Sequence, residues 1–179
     1  MSSFVVLTAI GPDRPGLVDE ISEFLTSRNV NIEDSRMAVL GGEFAMILLG
    51  SGSKDIEKTI EKDLSAIETK TGLNLQIKPT IAPEKREVKP AIPHKLTATS
   101  IDNEGIVHEI THILHKHLIN IETMDTHISH APISGTHIFN MKCLVNVPAQ
   151  EKLSTIRHEL EELADKMNID IELEPADSF

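Results

Sequence analysis

The eight residues Gly11–Val18, with the sequence Gly-Pro-Asp-Arg-Pro-Gly-Leu-Val, combine two charges with two prolines and two glycines. Pro12 stiffens the chain, and Pro15 biases Arg14 away from the helical region while suiting the first position of a helix. Gly16 then places a residue without a side chain in the first helical turn, where free N–H groups and the positive end of the helix dipole face outward. The turn predicts a site for a small anion, a carboxylate or a phosphate. The alternative is a tight strand-to-helix connection and no more.

The same pattern occurs a second time. Gly105 lies 89 residues after Gly16, and at this offset two tripeptides align with their counterparts: Leu7-Thr8-Ala9 with Leu96-Thr97-Ala98, and Asn31-Ile32-Glu33 with Asn120-Ile121-Glu122. From Phe44 and Phe139 onward the offset is larger by six, which indicates an insertion within 127–136. Asparagine can donate to and accept from a polar ligand, and it also suits the exit from a helix. Two copies of one unit are predicted, and the second turn is expected to have an ordinary Asp or Asn cap.

Hydrophobic periodicity predicts the elements of each unit. In unit 1, a strand covers 4–10, a helix covers 16–28, and Gly41-Gly42 join strands 32–40 and 44–49 in a hairpin. An apolar helical seam runs from 56 to 67 and stops before Gly72, and a last strand covers 73–78. Each unit is therefore an α+β, βαββαβ arrangement, with an antiparallel four-stranded sheet that has two helices on one face. We expect the two units to pack side by side.

A proline-rich charged segment separates the two copies. Pro79–Pro93 contains four prolines, and it is expected to be extended. The predicted organisation is domain 1 at residues 1–80, a linker at 81–93, domain 2 with the longer hairpin at 94–175, and a tail at 176–179.

Composition excludes several function classes. Lys and Arg number 17 against 28 Asp and Glu, which gives a formal net charge of -11 and opposes direct binding to a phosphate backbone. The chain has no Trp or Tyr to stack on bases. It has no apolar run of about 18 residues and no signal-peptide pattern, so we expect a cytoplasmic protein with no membrane partner. The single Cys143 excludes an internal disulfide and is expected to be buried.

Histidines concentrate in unit 2. His108, His112 and His115 share one face of the predicted helix, a spacing that would suit a metal ion. Because the apolar residues lie on the opposite face, we expect a solvated polar face and assign no metal ligand and no cofactor. Three more histidines lie in the inserted hairpin: His127, His130 and His137. Protonating all nine histidines would change the formal charge from -11 to -2, which gives the hypothesis that association depends on pH.

Catalytic motifs are not evident in the sequence. Gly41-Gly42-Glu43-Phe44 spells the GGEF signature of diguanylate cyclases, but Phe44 leads straight into an apolar strand. The phosphate-binding loop, nucleophile elbow and dinucleotide fingerprint do not occur. The chain is therefore expected not to be an enzyme.

The strand, the Asp-Arg-Pro-Gly-Leu-Val turn, the helix and the Asn-x-Asn-Ile that opens the next strand resemble an ACT domain, a small-molecule-binding regulatory module with a ferredoxin-like fold. A chain built from two such units resembles the glycine cleavage system transcriptional repressor family. The resemblance implies that amino acids bind between the turn of one unit and the second strand of its neighbour. Unit 2 departs from the pattern because it lacks both prolines and the arginine. The implied ligand-binding residues are Asp13, Arg14, Gly16, Leu17 and Asn31 for one site, and Asp102, Asn103, Gly105, Ile106 and Asn120 for the other.

The resemblance also implies a function. The implied protein is a non-enzymatic regulator that binds a small amino acid, with glycine as a candidate. It controls transcription of amino-acid and one-carbon metabolism genes, including those of the glycine cleavage system, through a partner DNA-binding regulator. The alternative is an ACT-type regulatory subunit or adaptor that docks on a metabolic enzyme and has no role in transcription. A third hypothesis is an enzymatic role for the histidine-rich unit 2. Either the two units complete an ACT pair within one chain, or two chains form a homodimer.

Overall fold

The structure is a computed structural model that describes residues 3–87 and 89–176. The chain divides into two units, with unit 1 ending at Glu87. The first two residues of the predicted domain 1, residue 88 of the predicted linker and residues 177–179 of the predicted tail lie outside the described residues.

Unit 1 has the predicted order of strands and helices, with one difference. Its elements are β1 (Ser3–Pro12), α1 (Leu17–Thr26), β2 (Asn31–Leu40), β3 (Glu43–Gly52), α2 (Ile56–Glu61), α3 (Leu64–Thr71) and β4 (Asn74–Thr80). The sequence predicted one helix where α2 and α3 stand. Asp63 leaves the helical region at φ -113° and ψ 8°, and its carboxylate accepts from Arg28 Nη2 at 2.5 Å. Aspartate is a poor helix former, and the break places its carboxylate against Arg28, just beyond the end of α1.

The sheet of unit 1 is antiparallel, in the order β2-β3-β1-β4. Gly41 and Gly42, at φ 61° and 87°, form the predicted two-residue hairpin turn between β2 and β3. Both need positive φ, as the mirror-image type I turn requires, and glycine supplies it without strain. Phe44, the last residue of the GGEF motif, is 1% exposed and belongs to the core.

The core of unit 1 lies between the helices and one face of the sheet. Alternate residues of β1, Val5, Leu7 and Ala9, are buried with Ile21 of α1 and Ile60 of α2. On β2, every residue is exposed, because β2 is the edge strand beyond the helices. On β1 and β3, buried residues alternate with exposed or half-buried ones, so the helices cover one face of the sheet, as the sequence predicted.

Unit 2 repeats this architecture. Its elements are β5 (Ala91–Ile101), α4 (Ile106–Lys116), β6 (Asn120–His130), β7 (His137–Pro148), α5 (Leu153–Met167) and β8 (Asp170–Pro175), with the sheet order β6-β7-β5-β8. Six residues, 131–136, connect β6 to β7, where unit 1 uses two. The extra residues of the repeat thus fall in this hairpin, which the break in the offset predicted. Cys143 is 3% exposed in the core of this unit.

The segment between the units differs in detail from the predicted extended linker. Pro83–Lys85 form a single 3₁₀ turn, and β5 already begins at Ala91, inside the range 81–93. Within the described residues, every helix is too short or too polar to cross a membrane.

Candidate functional site

The turn between β1 and α1 starts with a backbone contact to the neighbouring hairpin. Asp13 N donates to Gly42 O at 3.0 Å. Gly16 then adopts φ 93° and ψ -8°, and α1 begins at Leu17 with no side chain capping its first N–H groups. The prediction that Pro15 occupies the first helical position and Gly16 the first helical turn is wrong, because the left-handed conformation of Gly16 separates the turn from the helix.

Arg14 does not project freely from this turn. Its Nη1 and Nη2 donate to Oε1 and Oε2 of Glu20, each at 2.9 Å, and Nη2 also donates to Lys70 O at 3.2 Å. The paired hydrogen bonds lower the pKa of Glu20 and raise that of Arg14. Arg14 therefore links the turn to the first turn of α1 and to the carbonyl end of α3, where a cation is also favoured by the helix dipole.

The corresponding turn of unit 2 has the same backbone and different side chains. Asp102 N donates to His137 O at 3.0 Å, and Gly105 adopts φ 87° and ψ -5°. The expected Asp or Asn cap is wrong: Gly105 is the capping residue, and Asn103 Oδ1 accepts instead from Glu104 N at 2.9 Å. Without an arginine at position 103, this turn lacks the ion pair that unit 1 has.

Two of the predicted ligand residues face the core. Leu17 and Ile106 are each 2% exposed, and both belong to the hydrophobic clusters of their units. Only their backbone N–H groups, at the start of α1 and α4, are placed to meet a ligand at the turns.

Asn31 belongs to a separate polar cluster. Its Nδ2 donates to Glu33 Oε1 at 2.9 Å, and the same oxygen accepts a short hydrogen bond from Ser51 Oγ on β3. Glu33 lies where the pairing of β2 with β3 shifts register between Ile32 and Asp34. These two donors lower the pKa of Glu33, with Ser51 as the larger cause. A bulge that turns a carboxylate toward two donors is a feature the spacing did not predict.

Unit 2 repeats this cluster around Asn120. Asn120 Nδ2 donates to Glu122 Oε1 at 3.1 Å, and Asn146 Nδ2 on β7 donates to the same oxygen at 2.8 Å. The register again shifts at Glu122, between Ile121 and Thr123. The positive-φ residues that end the helical turns are Asn29 and Leu118, so the suggested role of the two predicted asparagines as helix exits is wrong.

Within one unit, the turn and the asparagine are far apart. Pro12 pairs with Glu43 at one end of β3, whereas Asn31 pairs with Ser51 at the other. The two positions are eight residue steps apart along β3, or about 26 Å. The predicted site residues of each unit therefore form two separate clusters. One cluster is at the turn, and the other is at the start of β2 in unit 1 or of β6 in unit 2.

A shallow groove on the helical side of unit 1 begins beside the turn. It has a volume of about 250 Å³, and its lining includes Glu20, Phe24, Arg28 and Lys70. The Arg28 guanidinium lies 3.8 Å from the centre of the Phe24 ring. Glu20 thus lines the groove and also pairs with Arg14 of the turn.

Sequence reasoning missed the carboxylates of both clusters. Glu20 and Glu33 recur at the same offset as Glu109 and Glu122, so the repeat itself contained the signal. Across residues 3–87 and 89–176, no three His, Cys, Asp or Glu side chains gather as a metal-binding group.

The comparisons with known proteins agree with this architecture. Residues 3–78 match the family model of the ACT domain. The glycine cleavage system transcriptional repressor of Escherichia coli K12 is 28% identical over 167 residues, which cover 92% of this chain and 86% of that protein. A UPF0237 protein of Methanocaldococcus jannaschii is 36% identical over 75 residues, 41% of this chain and 83% of that protein. The crystal structure of an unknown protein from Galdieria sulphuraria is 31% identical, with a TM-score of 0.86 over 99% of this chain and all of that one.

Proposed function

Residues 3–78 belong to the ACT domain family, and on that premise we propose that the chain is a non-enzymatic, cytoplasmic sensor. It binds a small amino acid at the β1–α1 turn of unit 1 and regulates transcription through a partner protein. Similarity to the Escherichia coli repressor over 92% of the chain supports the regulatory role.

The observation that carries the proposal is the Arg14–Glu20 pair beside the uncapped start of α1. A free amino acid carries one carboxylate and one ammonium group. The guanidinium and the free N–H groups of α1 suit the carboxylate, and Glu20 together with the exposed carboxylate of Asp13 suits the ammonium. The ligand carboxylate thus replaces Glu20 as the partner of Arg14, and the ligand ammonium replaces Arg14 as the partner of Glu20.

The position of Gly16 makes this exchange sterically feasible. A Cβ atom at Gly16 would lie 3.7 Å from Glu20 Oε1 and 3.8 Å from Arg14 Nη1, so the missing side chain leaves room directly beside the pair. A ligand with little or no side chain, such as glycine, fits this open surface. The name of the Escherichia coli relative supports glycine as the first ligand to test.

The asparagine clusters are a separate place for recognition, because Asn31 lies about 26 Å from the turn of its own unit. Asn31 and Asn120 each sit exposed at the first residue of an edge strand, bonded to a carboxylate that accepts from two donors. We expect these clusters to supply further donors and acceptors to a ligand. Asp102, Asn103 and Gly105 form the corresponding turn, which we expect to bind less tightly because no arginine is present.

Regulation would follow from coupling between ligand and partner. A ligand that favours one arrangement of surfaces changes the affinity for a partner by the same factor as the partner changes the affinity for the ligand. The formal charge of -11 makes direct contact with DNA unfavourable, which supports a DNA-binding partner as the intermediary.

The test is thermal unfolding of the purified protein with a panel of amino acids, glycine and serine included, and organic acids as controls. A ligand at about 100 times its dissociation constant adds about 2.7 kcal/mol, which raises the unfolding temperature by several degrees. We expect a selective rise that Arg14→Gln abolishes. Arg36→Gln is the matched control, because Arg36 makes an exposed ion pair with Asp34 on β2, away from the turn. An unchanged unfolding temperature with every amino acid would overturn the proposal.

The partner is tested separately. Partners captured from the source cell are identified by mass spectrometry, and the affinity of the purified partner is measured with and without the amino acid. A DNA-binding regulator whose affinity depends on the ligand supports the proposal. A metabolic enzyme as the partner would instead assign the chain to the adaptors that act without a role in transcription.

A further inference from the structure

Helix α4 of unit 2 carries two histidines one turn apart on its exposed side. The ring centres of His108 and His112 are 6.0 Å apart, and their planes are tilted by 33°. The five residues from His108 to His112 read His-Glu-Ile-Thr-His, which is the H-E-x-x-H pattern that presents two imidazoles on one helix face to a zinc ion. Sequence reasoning grouped these histidines with a solvated face and did not note the pattern.

The distance between the rings is close to that of a chelate. Zinc binds imidazole nitrogen at about 2.0 to 2.1 Å in tetrahedral geometry, which puts the centres of two coordinated rings about 5 Å apart. The two rings are about 1 Å wider than this. Both are exposed, so small rotations of the side chains close the difference.

The rings also lack competing partners. In the part of the chain that the structure describes, neither imidazole takes part in a hydrogen bond or an ion pair, and the only ring contact of each is with the other. Binding a metal ion therefore breaks no existing interaction of either side chain.

The helix holds the pair in place from the opposite side. Ile106, Ile110 and Leu114 are buried at 2% exposure or less, and they fix α4 against the core of unit 2. The backbone separation of the two histidines is thus set by the fold, and little ordering accompanies binding.

We propose that His108 and His112 form a binding site for a divalent transition-metal ion of the zinc, nickel and copper class. Imidazole nitrogen is a preferred ligand of these ions. The described residues gather no third His, Cys, Asp or Glu at this site, so water or a donor from another molecule completes the coordination. The inference concerns binding and does not depend on the amino-acid site of unit 1.

The experiment uses the full-length protein without a polyhistidine tag. Zn²⁺ is titrated calorimetrically and in competition with a chromophoric chelator, for the unaltered protein and for His108→Ala and His112→Ala. We expect one ion per chain, and we expect either substitution to lower the affinity by roughly tenfold or more, equal to about 1.4 kcal/mol. The unfolding temperature in chelator should be the same for all three proteins, since both side chains are exposed.

Two further variants test the position of the site. His158→Ala removes an exposed histidine of α5 whose neighbour one turn on is Glu162, and it should leave zinc affinity unchanged. His130→Ala removes one ring of the only other close histidine pair among the described residues, whose ring centres on β6 and β7 are 4.7 Å apart. Loss of binding in His130→Ala with full binding in His108→Ala would overturn the assignment to α4. Equal affinity in all variants, or no zinc bound, would overturn the proposal itself.

Discussion

Arg14 donates from both terminal nitrogens to the two carboxylate oxygens of Glu20, at 2.9 Å each. This pair joins the turn after β1 to the first turn of α1, and a third hydrogen bond, from Arg14 to Lys70 O, extends the link to the end of α3. The position that sequence analysis assigned to a ligand is therefore also a structural contact of unit 1.

Replacing Glu20 tests that contact through its dependence on pH. Because the hydrogen bonds from Arg14 lower the pKa of Glu20, its contribution to stability is present above the unfolded-state pKa of about 4.3 and is lost as the pH falls through the lower folded-state pKa. Glu20→Gln should be slightly less stable than the unaltered protein at pH 7. This difference should shrink as the pH falls below about 4.3 and should disappear once the pH is below the folded-state pKa of Glu20. Denaturant midpoints across this range provide the measurement.

The control for this prediction is Glu109→Gln. Glu109 occupies the matching place in unit 2, where Asn103 stands instead of an arginine, so its replacement should change stability less at pH 7. A difference between Glu20→Gln and the unaltered protein that persists at low pH would contradict the role given to the ion pair.

Replacing Ser51 should change the titration of Glu33. The hydrogen bond from Ser51 is the larger cause of the lowered pKa of Glu33, and that from Asn31 is the smaller. Ser51→Ala should therefore raise the pKa of Glu33 more than Asn31→Ala does, as followed by NMR titration of the side-chain carboxyl carbon. The reverse order would mean that the bulge presents Glu33 mainly to Asn31.

Gly16 is expected to tolerate some side chains and not others. At φ 93° a Cβ atom strains the backbone by about 1 to 2 kcal/mol, although it would meet no atom closer than 3.7 Å. Gly16→Ala should lower the free energy of unfolding by about this amount, and Gly16→Asn by less, because asparagine enters the left-handed region more readily. Urea unfolding of the purified variants measures both effects.

A substitution at Gly16 also distinguishes an effect on folding from an effect on ligand binding. Gly16→Asn fills the space beside Arg14 and Glu20, so we expect it to remove the proposed amino-acid response while the protein stays folded. Gly135→Asn is the matched control, since it makes the same substitution at φ 68° in the connection between β6 and β7, where an added Cβ meets no atom within 4 Å. A full ligand response in Gly16→Asn would place the amino acid elsewhere.

Cys143 is expected to be unreactive in the folded protein. Burial raises the pKa of its thiol to about 11, so the thiolate population at pH 8 falls by roughly two orders of magnitude relative to a free cysteine. A disulfide-exchange reagent should label the folded chain far more slowly than the chain in guanidinium chloride. Equal rates in the two states would show that the core of unit 2 opens frequently.

The sequence by itself determined the duplicated unit, the kind and order of its elements, and the hairpin at Gly41-Gly42. These features depend on local causes: the period of the apolar residues, the φ that glycine permits, and an offset that two copies share. The insertion in the second hairpin followed from the same offset. The buried state of Cys143 followed from its place in an apolar strand.

Only the tertiary structure decided which of the candidate residues meet. The register of β2 on β3 places Asn31 about 26 Å from the turn of its own unit. The conformation of the turn before α1 brings Arg14 to Glu20, and the packing of α1 beside α3 brings it to Lys70 O. The contact between Arg28 and Asp63 likewise accompanies a break in a helix that periodicity had predicted to be continuous. Such contacts join residues up to 56 positions apart, so they are fixed by strand register and helix packing, which local patterns do not encode.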